Sequence, residues 1–248
     1  MNTKKIEHIL PPPPPHMVGD GFRVHSFFPG GRLIDKKRMS PFFLMDYGAL
    51  IEFGPSPEPR GVGVHPHAGF ETVTIAYHGR IAHHDSAGNS GIIGEGDVQW
   101  MTAGSGLLHK EYHEQEFSRT GGPFQMVQLW VNLPAKDKKT KPKYQELTNE
   151  KMGRHFLADG KSFIEVIAGE YEGTKGPAFT FTPMNVYNAR MKAGAQADLN
   201  LPAHYNTGLL VVQGSALMNG QEVRADHFVL FKNDGEQISL EAREDTII

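Results

Sequence analysis

Short runs of β-prone residues, separated by residues that favour tight turns, constrain the fold of this chain more than any other feature. Three such runs follow one another in the first half: Glu71–Tyr77, Arg80–His83 and Asp97–Met101. The segments between them are rich in Gly, Asn, Asp and Ser, which close β-hairpins. This spacing predicts an antiparallel meander of the kind that forms a small barrel or sandwich.

The same pattern continues to the end of the chain and suggests a duplication. Strand-like runs recur in the second half at 163–168, 184–189, 208–212 and 228–231. The segment 209–214 also resembles 72–79. We therefore predict an all-β fold made of two antiparallel β-barrels.

A change of composition marks the expected boundary between the two barrels. Residues 134–145 are rich in Lys and Pro and contain few apolar positions, which is typical of a solvated linker. The predicted organisation is an N-terminal domain at 1–134, a linker at 135–145 and a C-terminal domain at 146–248.

Composition excludes several classes of function. The 248 residues carry a formal charge of −3, so we expect no direct binding to nucleic acid or to an anionic membrane. Cysteine is absent, which excludes disulfides, Cys-zinc sites, iron–sulfur clusters and thiol nucleophiles. The first ten residues lack the apolar core of a signal peptide, and no apolar run reaches membrane-spanning length. We therefore expect a cytoplasmic protein.

Two short clusters supply groups that can bind a metal ion. His65-Pro66-His67 and His109-Lys110-Glu111 each place two candidate ligands two positions apart. Side chains two apart in a β-strand point to the same face, so each pair can hold one ion. If the meander brings the two strands together, His65, His67, His109 and Glu111 form one mononuclear site.

The donor set limits the metal without selecting one. Imidazoles with a carboxylate suit Fe(II), Mn(II), Ni(II), Cu(II) or Zn(II), and Fe(II) is favoured by analogy with His/carboxylate oxygenase sites. Four protein ligands on a six-coordinate ion leave two positions for a substrate or dioxygen.

Other titratable residues near the clusters leave alternatives open. Glu71 has the same strand parity as His65 and His67, so it could be a ligand or could support one. His83, His84 and His113 could also support the ligands, although a partly exposed hairpin histidine is the simpler interpretation for each.

Six segments share a pattern with one protein family. They are His65–Thr74, His84–Asn89, Gly96–Gly104, His109–Glu111, 132–136 and 142–145. In these segments, and over most of its length, the chain resembles the pirin family of the cupin superfamily.

This resemblance implies a bicupin, in which two cupin-type barrels face each other and only the N-terminal barrel holds iron. The implied ligands are His65, His67, His109 and Glu111, which leaves Glu71 outside the set. Where the first half has His-x-His, the second has only Ala203-His204-Tyr205, so we expect no equivalent metal site there. Pirin chains usually continue past the position of Ile248, so we expect an incompletely closed second barrel or a shortened chain.

The resemblance also implies two hypotheses for function. Several pirins resemble quercetinases, which open flavonols with dioxygen, and others are redox-sensitive regulators that bind protein partners. Our leading hypothesis is an iron-dependent dioxygenase acting on a flavonol such as quercetin, with Glu111 as the catalytic base. The alternative is a non-catalytic regulator that binds a protein partner. A cavity lined by Phe and Met would favour the enzyme, and a broad exposed apolar patch would favour the regulator.

Overall fold

The chain folds into two compact units built almost entirely of β-strands. The computed structural model describes residues 2–30, 34, 35 and 37–248. The first unit is Pro13–Lys151. The second unit is Met152–Ile248 together with the residues up to Pro12, which include strand β1 (Ile6–Leu10).

The described residues of the first unit form eleven strands in two antiparallel sheets. One sheet has the order β12-β9-β6-β11-β4-β3-β2 and the other has the order β5-β10-β7-β8. One short helix, α1, connects β10 to β11, and 3-10 turns lie at Ala135–Asp137 and Asn149–Lys151. The bounds are β2 (His16–Val18), β3 (Phe22–Phe28), β4 (Phe42–Phe53), β5 (Gly61–His67), β6 (Phe70–His78), β7 (Ile81–Asp85), β8 (Ser90–Ile93), β9 (Val98–Thr102), β10 (Leu107–His113), α1 (Gln115–Thr120), β11 (Gly122–Asn132) and β12 (Lys143–Leu147).

Side chains along β10 alternate between the interior of the first unit and its solvent-exposed surface. Leu107, His109 and Glu111 are buried, whereas Leu108 between them is exposed. Apolar residues from both sheets and from α1 form a core cluster, which contains Phe22, Val24, Ala76, Ile81, Ile93, Phe117, Phe124 and Met126. The inward positions of β10 are therefore partly apolar and partly polar, and the polar ones form the candidate site.

The second unit has the same antiparallel character and an apolar interior. Its larger sheets have the orders β13-β14-β17-β24, β18-β23-β20-β21 and β1-β22-β19. Many of its buried side chains form a cluster that includes Val166, Met218 and Phe231. The bounds are β13 (Gly153–Phe156), β14 (Phe163–Ala168), β15 (Glu170–Tyr171), β16 (Thr174–Lys175), β17 (Val186–Met191), β18 (Gln196–Asn200), β19 (Thr207–Leu210), β20 (Ser215–Met218), β21 (Gln221–Arg224), β22 (Phe228–Phe231), β23 (Gln237–Ala242) and β24 (Thr246–Ile247).

The predicted all-β class with antiparallel sheets is confirmed, but the unit boundaries differ from the expected domain boundaries. The stretch 135–145 was expected to be a linker, yet it contains a 3-10 turn and the start of β12. β12 pairs with β9, from Lys143 opposite Thr102 to Leu147 opposite Val98, and Leu147 is buried. The Lys-rich composition hid this strand, because Leu147 is the one buried residue among its five.

The N-terminal residues also belong to a different unit from the one expected. β1 pairs with β22, so the segment before the proline run is a strand of the second unit and not of an N-terminal 1–134 domain. The ammonium of Lys4 is fully buried there and donates to the carbonyl oxygens of Ala203 and Lys232 at 2.9 and 3.2 Å. At the other end, β24 pairs with β17. No helix in the described part of the chain is long and apolar enough to span a membrane.

Candidate metal centre

The two His clusters lie on adjacent antiparallel strands. β5 carries His65 and His67, and β10 carries His109 and Glu111. In the β5–β10 ladder His109 is directly opposite His65, and Leu107 is opposite His67. The four predicted side chains therefore come from neighbouring strands of one sheet and share its inner face.

The three imidazoles are close enough to bind one ion. Their candidate ligand nitrogens all lie within 4.8 Å of one another. The ring centroids of His65 and His67 are 4.6 Å apart, and that of His109 is 5.4 and 5.6 Å from them. Oε1 of Glu111 is 3.9 Å from Nε2 of His109. Glu111 thus borders the cluster of three histidines.

Burial keeps the imidazoles of His67 and His109 neutral. Burial, reinforced by His65 and His109, lowers the pKa of His67 to about 4. Burial and the neighbouring His65 lower the pKa of His109 to about 4 as well. Nδ1 of His65 lies 2.8 Å from the carbonyl oxygen of Gly63, to which it can donate its hydrogen and so leave Nε2 with a free lone pair. A neutral imidazole has a lone pair that can bind a metal ion.

The chemistry of the donors also fits a metal ion. The side chain of His109 is fully buried, and the nitrogen that lies near Glu111 and Gln99 is its Nε2. The donor set of three imidazoles with a bordering carboxylate shows that the cluster could hold a metal.

Three polar residues of the facing seven-stranded sheet contact the cluster, and sequence reasoning did not find them. Nε2 of Gln128 donates to Oε2 of Glu111 at 3.0 Å, and Oγ1 of Thr74 donates to Oε1 at 3.4 Å. Nε2 of Gln99 is 3.4 Å from Nε2 of His109. A local signal did exist: Gln99 and Gln128 both follow a valine inside apolar strands, where an inward glutamine is unusual.

Glu71 lies away from the cluster. It belongs to β6, in the other sheet, because the chain turns between His67 and Phe70 through Gly69, whose φ is +77°. Glu71 accepts a hydrogen bond from the hydroxyl of Thr102 at 2.7 Å and is on the opposite face of β6 from Thr74. The parity argument for Glu71 as a ligand was therefore wrong, since it assumed one continuous strand.

The three neighbouring histidines have different environments. His84 is exposed and stacks on Tyr112, as the simple interpretation predicted. His113 is buried among aromatic rings and its Nε2 is 2.8 Å from the carbonyl oxygen of Gly21, so it is a core residue. His83 is fully buried, with its ring centroid 6.0 Å from that of His109. For His83 and His113 the expectation of partial exposure was wrong.

His83 is held by a residue from the stretch that was expected to be a linker. Burial raises the pKa of Tyr144, so its hydroxyl stays protonated, and it shares a hydrogen bond of 2.7 Å with Nε2 of His83. Burial, with the nearby His109, lowers the pKa of His83 to about 4.

An aromatic group borders the cluster beside His67. Trp130 and Phe70 contact the His67 ring at centroid distances of 5.5 and 5.1 Å. Phe43 contacts both of these residues and lies at a shift of register between β4 and β11. All three rings are partly exposed. The group offers planar apolar surface next to the candidate ligands.

Both units of the chain match profiles of one protein family. Residues 21–131 match the family profile described as Pirin, and residues 186–248 match the one described as the Pirin C-terminal cupin domain. The chain belongs to the pirin family. The predicted family and fold class are thereby confirmed.

The similar proteins include some named for one enzyme activity. The chain is 46% identical over 230 residues to a Pseudomonas aeruginosa protein provisionally named quercetin 2,3-dioxygenase, covering 93% of this chain and 80% of that protein. It is 36% identical over 226 residues to Pirin-1 of Arabidopsis thaliana, covering 90% and 72%. A crystal structure of quercetin 2,3-dioxygenase from Acinetobacter baumannii superposes with a TM-score of 0.92 and 43% identity, covering 99% of this chain and 85% of that one.

Proposed function

We propose that this pirin is a mononuclear metal dioxygenase that opens flavonols such as quercetin. The observation that carries the proposal is the group of three histidine nitrogens within 4.8 Å of one another, with the Glu111 carboxylate beside it. Two similar proteins named for quercetin 2,3-dioxygenase support the choice of substrate class.

The proposed metal ligands are His65, His67, His109 and Glu111, and the proposed metal is Fe(II). Nitrogen and oxygen donors without a thiolate suit Fe(II), and they also suit Mn(II), Ni(II), Cu(II) and Zn(II). A bound metal of this kind would act as a Lewis acid toward the substrate hydroxyl and would bring dioxygen within reach. The fully buried His109 would restrict the site to ions that shed most of their water.

Glu111 is the proposed catalytic base. Its Oε2 accepts the amide hydrogen of Gln128, so Oε1 is the oxygen nearest His109. Oε1 would take the proton of the flavonol hydroxyl as the substrate enters. Positioned bases of this type contribute about 10²- to 10⁴-fold to a rate.

The aromatic group beside His67 is the proposed contact surface for the flavonol rings. Phe43, Phe70 and Trp130 are partly exposed and mutually in contact, so a planar ring can pack on them without burying a polar group. The substrate hydroxyl would then point toward Glu111. This surface also orders the substrate relative to the candidate metal ligands.

The proposal is tested by mixing anaerobically iron-loaded protein with quercetin and then adding oxygen. Loss of flavonol absorbance with release of carbon monoxide is expected. His109→Ala should abolish both metal retention and turnover, whereas His204→Ala, at an exposed histidine of the second unit, should change neither. Flavonol loss no faster than with free iron would refute the enzyme, and full turnover in His109→Ala would refute the ligand assignment.

One observation favours the second candidate function, a redox-sensitive regulator that binds a protein partner. The outer face of the β5–β10–β7–β8 sheet exposes Val64, Leu108 and Ile92, at 65%, 49% and 46% exposure. The inner face of the same sheet carries the histidine cluster. A change in the oxidation state of a bound iron would therefore act on the same strands that form this exposed surface. Amide exchange in β5 and β10 should then differ between the Fe(II) and Fe(III) forms, and identical exchange would refute the regulator.

A further inference from the structure

One row of the seven-stranded sheet is polar across five consecutive strands. In register from β9 to β3 the row contains Gln99, Thr74, Gln128, Asp46 and Ser26. Directly opposite residues in a ladder share a face, so the whole row lies on the face that contacts the histidine cluster. Burying an uninterrupted polar row costs free energy unless its groups form hydrogen bonds with one another or with a group that lies over the row.

Glu111 is the residue above this row. Its side chain is only 7% exposed, so its carboxylate must obtain hydrogen bonds from protein groups in place of water. Gln128 donates to Oε2 at 3.0 Å and Thr74 donates to Oε1 at 3.4 Å. Nε2 of Gln128 is also 3.4 Å from Oγ1 of Thr74. The two donors therefore form a small network that fixes the carboxylate plane.

The network gives the two carboxylate oxygens different positions. Oε2 is the oxygen bound to the Gln128 amide. Oε1 is the one that lies 3.9 Å from Nε2 of His109. Without Gln128 the carboxylate would keep only the longer hydrogen bond from Thr74 and could rotate about its last side-chain bond. The amide thus limits the orientations in which Glu111 presents an oxygen to the cluster.

We propose that Gln128, assisted by Thr74, is a positioning residue that directs a single oxygen of Glu111 to the metal cluster. This inference rests on the proposed function, because it assumes that the cluster binds a metal. Hydrogen-bond partners of metal ligands tune affinity, and losing one costs about 10- to 100-fold. A residue that acts this way affects metal binding and coordination, whereas a merely structural residue affects stability alone.

The chain offers a matched control on the same strand. Gln125 also lies on β11, is 4% exposed, and donates its Nε2 hydrogen to the hydroxyl of Tyr47 at 2.9 Å. Gln→Met at either position removes the amide while keeping the length of the side chain. Gln128→Met and Gln125→Met should therefore lower stability to a similar extent. Only Gln128→Met should weaken the metal site.

The experiment measures the Kd of the whole chain for Fe(II) by anaerobic calorimetry and records the absorption spectrum of the Co(II)-loaded protein. Gln128→Met should raise the Kd about 10- to 100-fold and shift the Co(II) spectrum, while Gln125→Met should change neither. Thr74→Val should act in the same direction as Gln128→Met. Thr74→Ser, which retains the hydroxyl, should restore wild-type binding.

A double-mutant cycle tests whether Gln128 affects the affinity for Fe(II) by positioning Glu111. In a Glu111→Ala background, Gln128→Met should cause no further loss of affinity, because the carboxylate that it positions is absent. Equal and additive losses in the two backgrounds would overturn the proposal, and so would wild-type affinity with an unchanged Co(II) spectrum in Gln128→Met. If the wild-type protein binds neither Fe(II) nor Co(II), the proposed function fails first, and this inference fails with it.

Discussion

His65 and His109 face each other across the β5–β10 ladder, with their ring centroids 5.4 Å apart. The two strands stay paired on both sides of this position, with Leu108 opposite Pro66 and Glu111 opposite Val62. Both histidines are therefore carried by paired strands and not by a flexible loop. A site on paired strands needs little rearrangement to bind an ion, which favours affinity.

Removing His109 should abolish metal binding. His109 is the fully buried member of the cluster and lies between His65 and Glu111 in the proposed ligand set. His109→Ala should raise the Kd for Fe(II) by more than the roughly 10- to 100-fold cost of losing a supporting partner. Calorimetry and metal analysis after dialysis measure this loss. Wild-type metal content in the variant would contradict the assignment.

Replacing Glu111 should separate catalysis from metal retention. Glu111→Gln keeps the size and the oxygen acceptor of the side chain but cannot accept the substrate proton. We expect kcat for quercetin to fall about 100-fold or more, with a smaller change in Kd for Fe(II). Steady-state kinetics at saturating metal measures the first quantity. A loss of activity fully explained by lost metal would show that Glu111 acts as a ligand alone and refute its role as the base.

The sequence predicted the pairs at His65–His67 and His109–Glu111 because both depend on a local rule, the two-residue period of a strand. The rule failed at Glu71, since a single turn at Gly69 moves the chain into another sheet. Gln128 and Thr74 could not be assigned to the site, because their contact with Glu111 depends on how two sheets face each other. Such long-range placement is set by packing and leaves little local signal.

The burial of His83 illustrates the same limit. Its hydrogen-bond partner Tyr144 follows it by 61 residues and comes from a Lys-rich stretch that was expected to be a linker.

Tyr144→Phe should destabilise the first unit by about 1–3 kcal/mol, because it leaves Nε2 of His83 buried without a partner. Tyr112→Phe, at the exposed pair with His84, should cost no more than about 0.5 kcal/mol. Urea unfolding followed by tryptophan fluorescence measures both, and equal effects would contradict the structural role of β12.

Stability of the metal-free protein should depend on pH through His83. Its pKa is about 4 in the fold, lowered by burial, whereas an unfolded histidine titrates near 6.5. Between these values the unfolded chain binds a proton that the folded chain does not, so His83 lowers stability as the pH falls through this window. Burial also lowers the pKa of His67, His109 and His113, which acts in the same direction. It raises the pKa of Asp46 and of Glu71, which acts in the opposite direction.

Comparison with His83→Gln isolates the contribution of His83, because the other titrating groups are present in both proteins and cancel in the difference. The free energy of unfolding of the wild type, minus that of the variant, should decrease between about pH 7 and about pH 5. Urea titrations with a chelator present measure it. A difference that is constant with pH would show that His83 does not titrate with a lowered pKa.

The N-terminal arm should contribute to the stability of the second unit through Lys4. The Lys4 ammonium is fully buried and donates to the carbonyl oxygens of Ala203 and Lys232. Lys4→Met keeps the length of the side chain but leaves these carbonyl oxygens without that donor, at a cost of about 1–3 kcal/mol. Amides of β19 and β22 should then exchange faster, while those of β10 in the first unit stay protected.

A neighbouring lysine provides the control for this measurement. Lys5 is exposed, and its ammonium is 3.7 Å from Asp234, a surface ion pair that should contribute less than about 1 kcal/mol. Lys5→Met should therefore leave exchange in β19 and β22 close to that of the wild type. Equal protection in Lys4→Met and Lys5→Met would mean that the pairing of β1 with β22 holds the arm without its buried ammonium.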